Sequence, residues 1–296
     1  MVSIRRIIST ITVAGVLGLS APVFACEPEF VQPAQTLSLT ASEVGNRLRV
    51  EADEQIRIRN TGGGECSAFL RIARLSTSDP DPSRTLSITS GGQIIDILPS
   101  DISAASSSSD LFIPGIPGGG IGSRVIPLRF AFPIEWGISS GVTSETLLVQ
   151  LIDETGTAFD ELVLTVNLTV LPTVEMRIVG ATGSDRIARL DLGTLNPRII
   201  NRSDPFGVRV WSTSPYTVTF ASNNVGNLAH ETASDRIEYE LRAAGRIVDL
   251  SGSSPGALGR KTDALGDFHP LEILVPPFVA QAGQYSDRVT VTVSAG

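Results

Sequence analysis

Residues 282–296 read AGQYSDRVTVTVSAG. Val289, Val291 and Val293 alternate with Arg288, Thr290 and Thr292. β-Branched residues at a period of two mark a strand with one face on a core and the other in water. A strand needs a neighbour along each edge, or an edge that is guarded. Only Ser294, Ala295 and Gly296 follow this one. The expectation is an acceptor strand, with Val289, Val291 and Val293 lining a groove that another chain fills.

The same alternation recurs along the chain. It appears in QTLSLTA (35–41), NRLRVEA (46–52), EQIRIRN (54–60), AFLRIARL (68–75), VIPLRFAFPI (125–134), TLLVQLID (146–153) and ELVLTVNLTV (161–170). A second set comprises EMRIVGA (175–181), FGVRVWSTS (206–214), YTVTFAS (216–222), RIEYELRAAGRIVDLSG (236–252) and PLEILVP (270–276). Gly, Ser, Asp and Pro clusters separate them. Short strands at this spacing predict an all-β chain of two immunoglobulin-like sandwiches. The boundary falls near Leu171–Thr173, giving domains 26–171 and 172–296, each of ordinary domain size. The two sets end differently. SGVTSETLLVQLID (140–153) is followed by ELVLTVNLTV, whereas the similar AGQYSDRVTVTVSAG has no successor. The second sandwich is therefore expected to lack its last strand. A missing edge strand leaves an apolar groove and unpaired backbone groups, which a strand from another chain can fill.

The amino end, MVSIRRIISTITVAGVLGLSAPVFA (1–25), pairs two arginines with a short apolar run and small residues, the form of a secretory signal. Cleavage after Ala25 makes Cys26 the first residue; acylation of Cys26 is the rival reading. No later run is long and apolar enough to span a membrane. Losing the two signal arginines takes the formal charge from −8 to −10. Such a balance argues against nucleic-acid binding. An even pair of cysteines in an exported chain predicts a Cys26–Cys66 disulfide.

Residues 174–296 resemble the spore coat protein U family, the pilin-type domain of archaic (Csu-type) chaperone–usher pili. The resemblance rests on LDLGTLNP (190–197), RVWSTSPYTVTFAS (209–222), DRIEYELRA (235–243) and the closing AGQYSDRVTVTVSAG. The segment has no cysteine, unlike most such pilins. A complete first domain ahead of an incomplete second is how tip adhesins of these pili look. With Cys26 as the first residue after cleavage, no donor extension precedes it, so the subunit would receive a strand and give none. The resemblance implies three partners: a periplasmic pilus chaperone, an outer-membrane usher and an adjacent pilin subunit that lends a strand. It also implies secretion through the periplasm to the pilus tip, and a role in surface attachment and biofilm formation. A non-adhesive minor pilin or adaptor of the same pilus, and a secreted carbohydrate-binding sandwich, are the alternatives.

The most unusual stretch of the first domain is SAASSSSDLFIPGIPGGGIGSRVIP (103–127). Pro114, Pro117 and clustered glycines predict a loop, and Leu111, Phe112, Ile113, Ile116 and Ile121 make it apolar. An exposed apolar loop is a contact surface. FPIEWGISSG (132–141), with Trp136 and Ile138, is a second candidate. Hydrophobic tip loops that bind nonpolar surfaces in Csu-type adhesins are similar in character. The other reading is that these residues fold back over the end of the sandwich.

Catalysis is not expected. Gly137-Ile138-Ser139-Ser140-Gly141 and Gly252-Ser253-Ser254-Pro255-Gly256 match G-x-S-x-G, but no helix follows either. His230 and His269 are the two histidines, read as surface or turn residues. No metal-ligand spacing or phosphate loop occurs, so no cofactor is expected. Two Trp and three Tyr are too few for an aromatic sugar platform.

Overall fold

The computed structural model describes residues 26–45, 47–77, 86–99, 108–120, 122–183, 187–252 and 255–296. The signal-peptide expectation (1–25) and Ile121 lie outside the described residues.

The chain is all-β. The first half supplies β1 (Pro28–Phe30), β2 (Ala34–Ala41), β3 (Arg49–Asn60), β4 (Cys66–Thr77), β5 (Ser87–Ser90), β6 (Gln93–Ile95), β7 (Ile97–Pro99), β8 (Leu111–Ile116), β9 (Ser123–Pro133), β10 (Gly141–Ile152) and β11 (Ala158–Val170). The second half supplies β12 (Val174–Val179), β13 (Thr182–Gly183), β14 (Ala188–Arg189), β15 (Asn201–Arg202), β16 (Phe206–Ser212), β17 (Tyr216–Ser222), β18 (Asn227–His230), β19 (Arg236–Glu238), β20 (Glu240–Ala243), β21 (Arg246–Ile247), β22 (Ala257–Gly259), β23 (Asp267–Val275), β24 (Tyr285–Ser286) and β25 (Val289–Ala295).

In the first sandwich one sheet runs β1-β3-β9-β5-β6 and the other β2-β11-β10-β4-β7, with β8 on β4. Both sheets alternate, so their inward rows meet. Ile56 and Ile58 of β3 and Phe130 of β9 face Leu70 and Ile72 of β4, Leu147 and Val149 of β10, and Leu164 and Val166 of β11, all buried in one cluster. The chain closes this sandwich itself. β11 pairs antiparallel with β10 and, along its other edge, parallel with β2 from Val163↔Ala34 to Val170↔Ala41.

The Cys26–Cys66 disulfide joins the segment before β1 to the first residue of β4, with Cα atoms 5.7 Å apart. Closing a loop of 40 residues contributes about 4 kcal/mol in the chain-entropy model. Alkylation of the exported, unreduced protein is therefore expected to leave its intact mass unchanged. Two labelled thiols, or an acylated amino terminus, would refute the bridge.

The second sandwich repeats the first in part. Its larger sheet, β12-β16-β23-β20-β21, carries β15 on β23; the facing strands are β22-β17-β25 and β19-β18-β24. Its core gathers Val208, Val210, Tyr216, Val218, Phe220, Leu241 and Leu271. Residues 171–173 link β11 to β12, and the halves meet at a seam there. Thr213 N–H donates to the Thr173 carbonyl, Ser140 N–H donates to the Thr213 carbonyl at 2.8 Å, and Lys261 Nζ donates to the Gly137 carbonyl at 3.0 Å. Trp211 packs against the first core, with the Arg177 guanidinium 5.9 Å from its ring centroid.

Candidate functional site

β25 pairs antiparallel with β17, from Ser222↔Val289 to Tyr216↔Ala295, and has no partner on its other edge among the described residues. Val289, Val291 and Val293 point to the core but stay half-buried; Arg288, Thr290, Thr292 and Ser294 are exposed. The first sandwich shows what is missing. β10 occupies the same place as β25, paired with β4 as β25 is with β17, but β10 also has β11. The five inward residues of β11, Leu162, Leu164, Val166, Leu168 and Val170, are all buried. Among the described residues no equivalent strand pairs along the other edge of β25. The second core is accordingly ringed by half-buried apolar side chains, among them Val174, Met176, Leu192, Leu195 and Phe278, where the first core has few.

One carboxylate anchors the start of β25. Asp287 Oδ1 accepts the N–H groups of Arg288 (2.7 Å) and Asn224 (3.2 Å). Its Oδ2 accepts the hydroxyls of Tyr239 (2.6 Å) and Ser222. Burial first, and then Asp287, push the Tyr239 hydroxyl well above the ordinary tyrosine range, so it remains a donor. Sequence reasoning missed this group, whose partners Tyr239 and Ser222 lie 48 and 65 residues away.

The apolar stretch of the first sandwich departs from expectation. Residues 111–116 form a strand, not a loop. β8 lies along the outer edge of β4, pairing Phe112↔Phe69 and Ile116↔Cys66. Pro114 is tolerated because β8 pairs with β4 alone among the described residues, and the register shifts opposite it, between Cys66 and Ala68. Gly115 takes the left-handed conformation there, φ +63°. The turn that follows closes on another glycine turn. Gly119 N–H donates to the Gly62 carbonyl, Gly120 N–H to the Asn60 carbonyl, and a Cβ on Gly118 would stand 2.5 Å from the Gly64 oxygen.

Alternation therefore splits the stretch. Ile113 and Ile116 are core residues, Leu111 is half-buried against the core, and Phe112 is 52% exposed. Assigning Ile113 and Ile116 to a surface-binding loop is corrected accordingly. The same correction applies to Trp136 and Ile138, which are buried in the first core beside the seam. Phe112 remains exposed, tilted against Phe69 with ring centroids 5.2 Å apart.

Beside them, Asp110 and Arg71 form a buried bidentate pair, Arg71 Nε to Oδ1 at 3.0 Å and Nη2 to Oδ2 at 2.8 Å. His269 is also reassigned. It lies half-buried in β23, with its Nε2 2.7 Å from the Tyr216 hydroxyl, which donates to Asp267 at 2.8 Å. Burial lowers the His269 pKa and the Asp267 charge partly opposes this. His230 is likewise a strand residue, the half-buried last position of β18, and its Nδ1 accepts the N–H groups of Thr232 and Ala233 in the turn that follows. Among the described residues no group of three His, Cys, Asp or Glu side chains could hold a metal, and no helix is long and apolar enough to cross a membrane.

No protein-family profile and no curated protein matches the chain. Solved structures similar to it include chaperone–usher tip adhesins. The CsuC–CsuE chaperone–tip adhesion subunit pre-assembly complex from the archaic Csu pili of Acinetobacter baumannii is 13% identical, over 91% of this chain and 99% of that one, TM-score 0.41. The CupB6 tip adhesin from Pseudomonas aeruginosa is 11% identical over 90% and 94%, TM-score 0.38. CfaE, the adhesive subunit of CFA/I fimbria of enterotoxigenic Escherichia coli, is 9% identical over 89% and 98%, TM-score 0.38. At such identities and scores these likenesses carry no functional weight.

Proposed function

We propose that the chain is a tip adhesin of an archaic chaperone–usher pilus, with no catalytic role, and that it contributes to surface attachment and biofilm formation. The division into residues 26–171, which meet the surface, and 172–296, which join the pilus, belongs to this reading. The observation that carries it is the edge of β25, unpartnered among the described residues, above half-buried Val289, Val291 and Val293. An edge of this kind is matched chemically by an extended segment with alternating apolar side chains. In the periplasm a chaperone would supply that segment. After passage through an outer-membrane usher, the adjacent pilin subunit would.

Surface contact falls to Phe112, the one exposed residue of its stretch that is both large and aromatic. Phe112→Ser is expected to reduce attachment of piliated cells to a hydrophobic surface while leaving export and melting temperature unchanged. Ile116→Ser, at a fully buried position, is expected to cost about 3 kcal/mol or more and to deplete the exported protein. Unchanged attachment in Phe112→Ser, with the subunit present in the pilus, would refute the adhesive role. The burial of Ile113, Ile116, Trp136 and Ile138 favours a second reading, a non-adhesive adaptor of the same pilus, and that outcome would select it.

A further inference from the structure

We infer that Asp287 is a positioning residue for strand capture: its carboxylate holds the start of β25 in register on β17, so that the open edge is presented as a formed strand to an incoming extended segment. This rests on the strand-acceptor reading and adds the group that keeps the acceptor ordered before anything binds.

Among the described residues β25 pairs with β17 alone, and its inner face is half-exposed. A ladder of that kind opens easily. A frayed acceptor must be ordered during binding, at an entropic cost that preorganisation removes. The strand is secured at both ends instead. At its far end, Gly296 N–H donates to the Pro215 carbonyl at 2.7 Å. At its start, Asp287 accepts four hydrogen bonds, which fills the acceptor capacity of a carboxylate.

The bonds are directional. The Ser222 hydroxyl gives its proton to Asp287, which frees its lone pairs to accept the N–H groups of Asn224 (3.1 Å) and Gly226 (2.9 Å). Asn223 N–H donates to the Arg288 carbonyl at 2.9 Å. The turn after β17 is thereby wound tightly enough to put Val225 at φ 52°, and it is tied to the residue that opens β25. Tyr239, just beyond β19, supplies the fourth donor from outside the β17–β25 pair. Loss of the carboxylate would leave these donors competing for water and the first rungs, Ser222↔Val289 and Ala221↔Thr290, free to open.

The test uses the full chain and a fluorescein-labelled peptide of residues 160–170, the chain's own closing strand from the first sandwich. Wild type is expected to capture the peptide, and Asp287→Ala about tenfold more slowly. Asp287→Asn should fall between, since its amide keeps one acceptor oxygen. In a second pair of proteins the same segment is fused after Gly296, so that insertion is intramolecular. There the variant and its parent should agree in protease resistance within about twofold, because the inserted strand restores the register. Hydrogen exchange at residues 289–293 should follow the same pattern, faster in the unfused variant and equal in the fused pair. Equal capture by variant and wild type overturns the role of Asp287. So does an equal loss of protection in fused and unfused chains, which is the mark of a merely structural residue. A wild-type chain that captures no peptide, with a fused chain no better protected, overturns the acceptor reading and this role with it.

Discussion

Appending a second copy of residues 160–170 after Gly296, through a short glycine–serine linker, is expected to raise the melting temperature of the full chain by roughly 6–12 °C. The added segment, DELVLTVNLTV, already fills the corresponding place between β10 and β2 of the first sandwich. Its apolar residues would cover Val289, Val291 and Val293, and its backbone would satisfy the free edge of β25. Each buried Leu or Val contributes about 1.5–3 kcal/mol before the segment's own ordering is subtracted. A net gain of about 3 kcal/mol corresponds to the stated shift for a protein of this size. The linker turns insertion into an intramolecular event, so the gain should not depend on protein concentration. Residues 174–296 expressed alone should be protease-sensitive and rescued by the same fusion. Residues 26–171 should fold without it, because β11 closes their sandwich. If residues 174–296 alone melt cooperatively as a monomer, and the fusion changes nothing, the edge is not an acceptor.

The second large effect lies at Asp110. Asp110→Ala removes the bidentate partner of Arg71 in surroundings where both side chains are almost wholly buried. Removing one member of a buried ion pair destabilises by about 3–5 kcal/mol. The melting temperature should therefore fall by roughly 6–20 °C, with β8 loosened from β4. The paired replacement Arg71→Met with Asp110→Leu should recover most of that loss, since two apolar side chains leave no stranded charge. A loss below about 1 kcal/mol for Asp110→Ala would place the pair among solvent-screened ion pairs instead.

Both sandwiches were legible in the sequence because their strands are amphipathic at a period of two. The valines of β25 and the alternating leucines and valines of β11 show that pattern most clearly. β8 was not legible. Pro114 and the glycines after it obey the rule for loops, and only the position of β8 at the margin of a sheet exempts it. Sequence could register that residues 111–116 are apolar; which of them face inward depends on pairing with β4, more than forty positions away. Trp136 and Ile138 were misread for a related reason. Their burial comes from the first core, which local composition does not encode. Asp287 and the Arg71–Asp110 pair were hidden because hydrogen-bond partners brought together by topology leave no periodic trace. His269 differs again: it continues the inward row of β23, and alternation from Leu271 would have found it.

The seam between the sandwiches has an optical consequence. The chain's two tryptophans, Trp136 and Trp211, both stand there, one inside the first core and the other packed onto it. Its single lysine, Lys261, is there too, reaching the Gly137 carbonyl. Indole emission from this protein therefore reports on a hinge-sized region and on neither interior as a whole. An amine-reactive dye has one side chain to find besides the amino terminus, and that side chain sits beside both indoles. Bending between the halves would be visible as quenching or energy transfer without any engineered label.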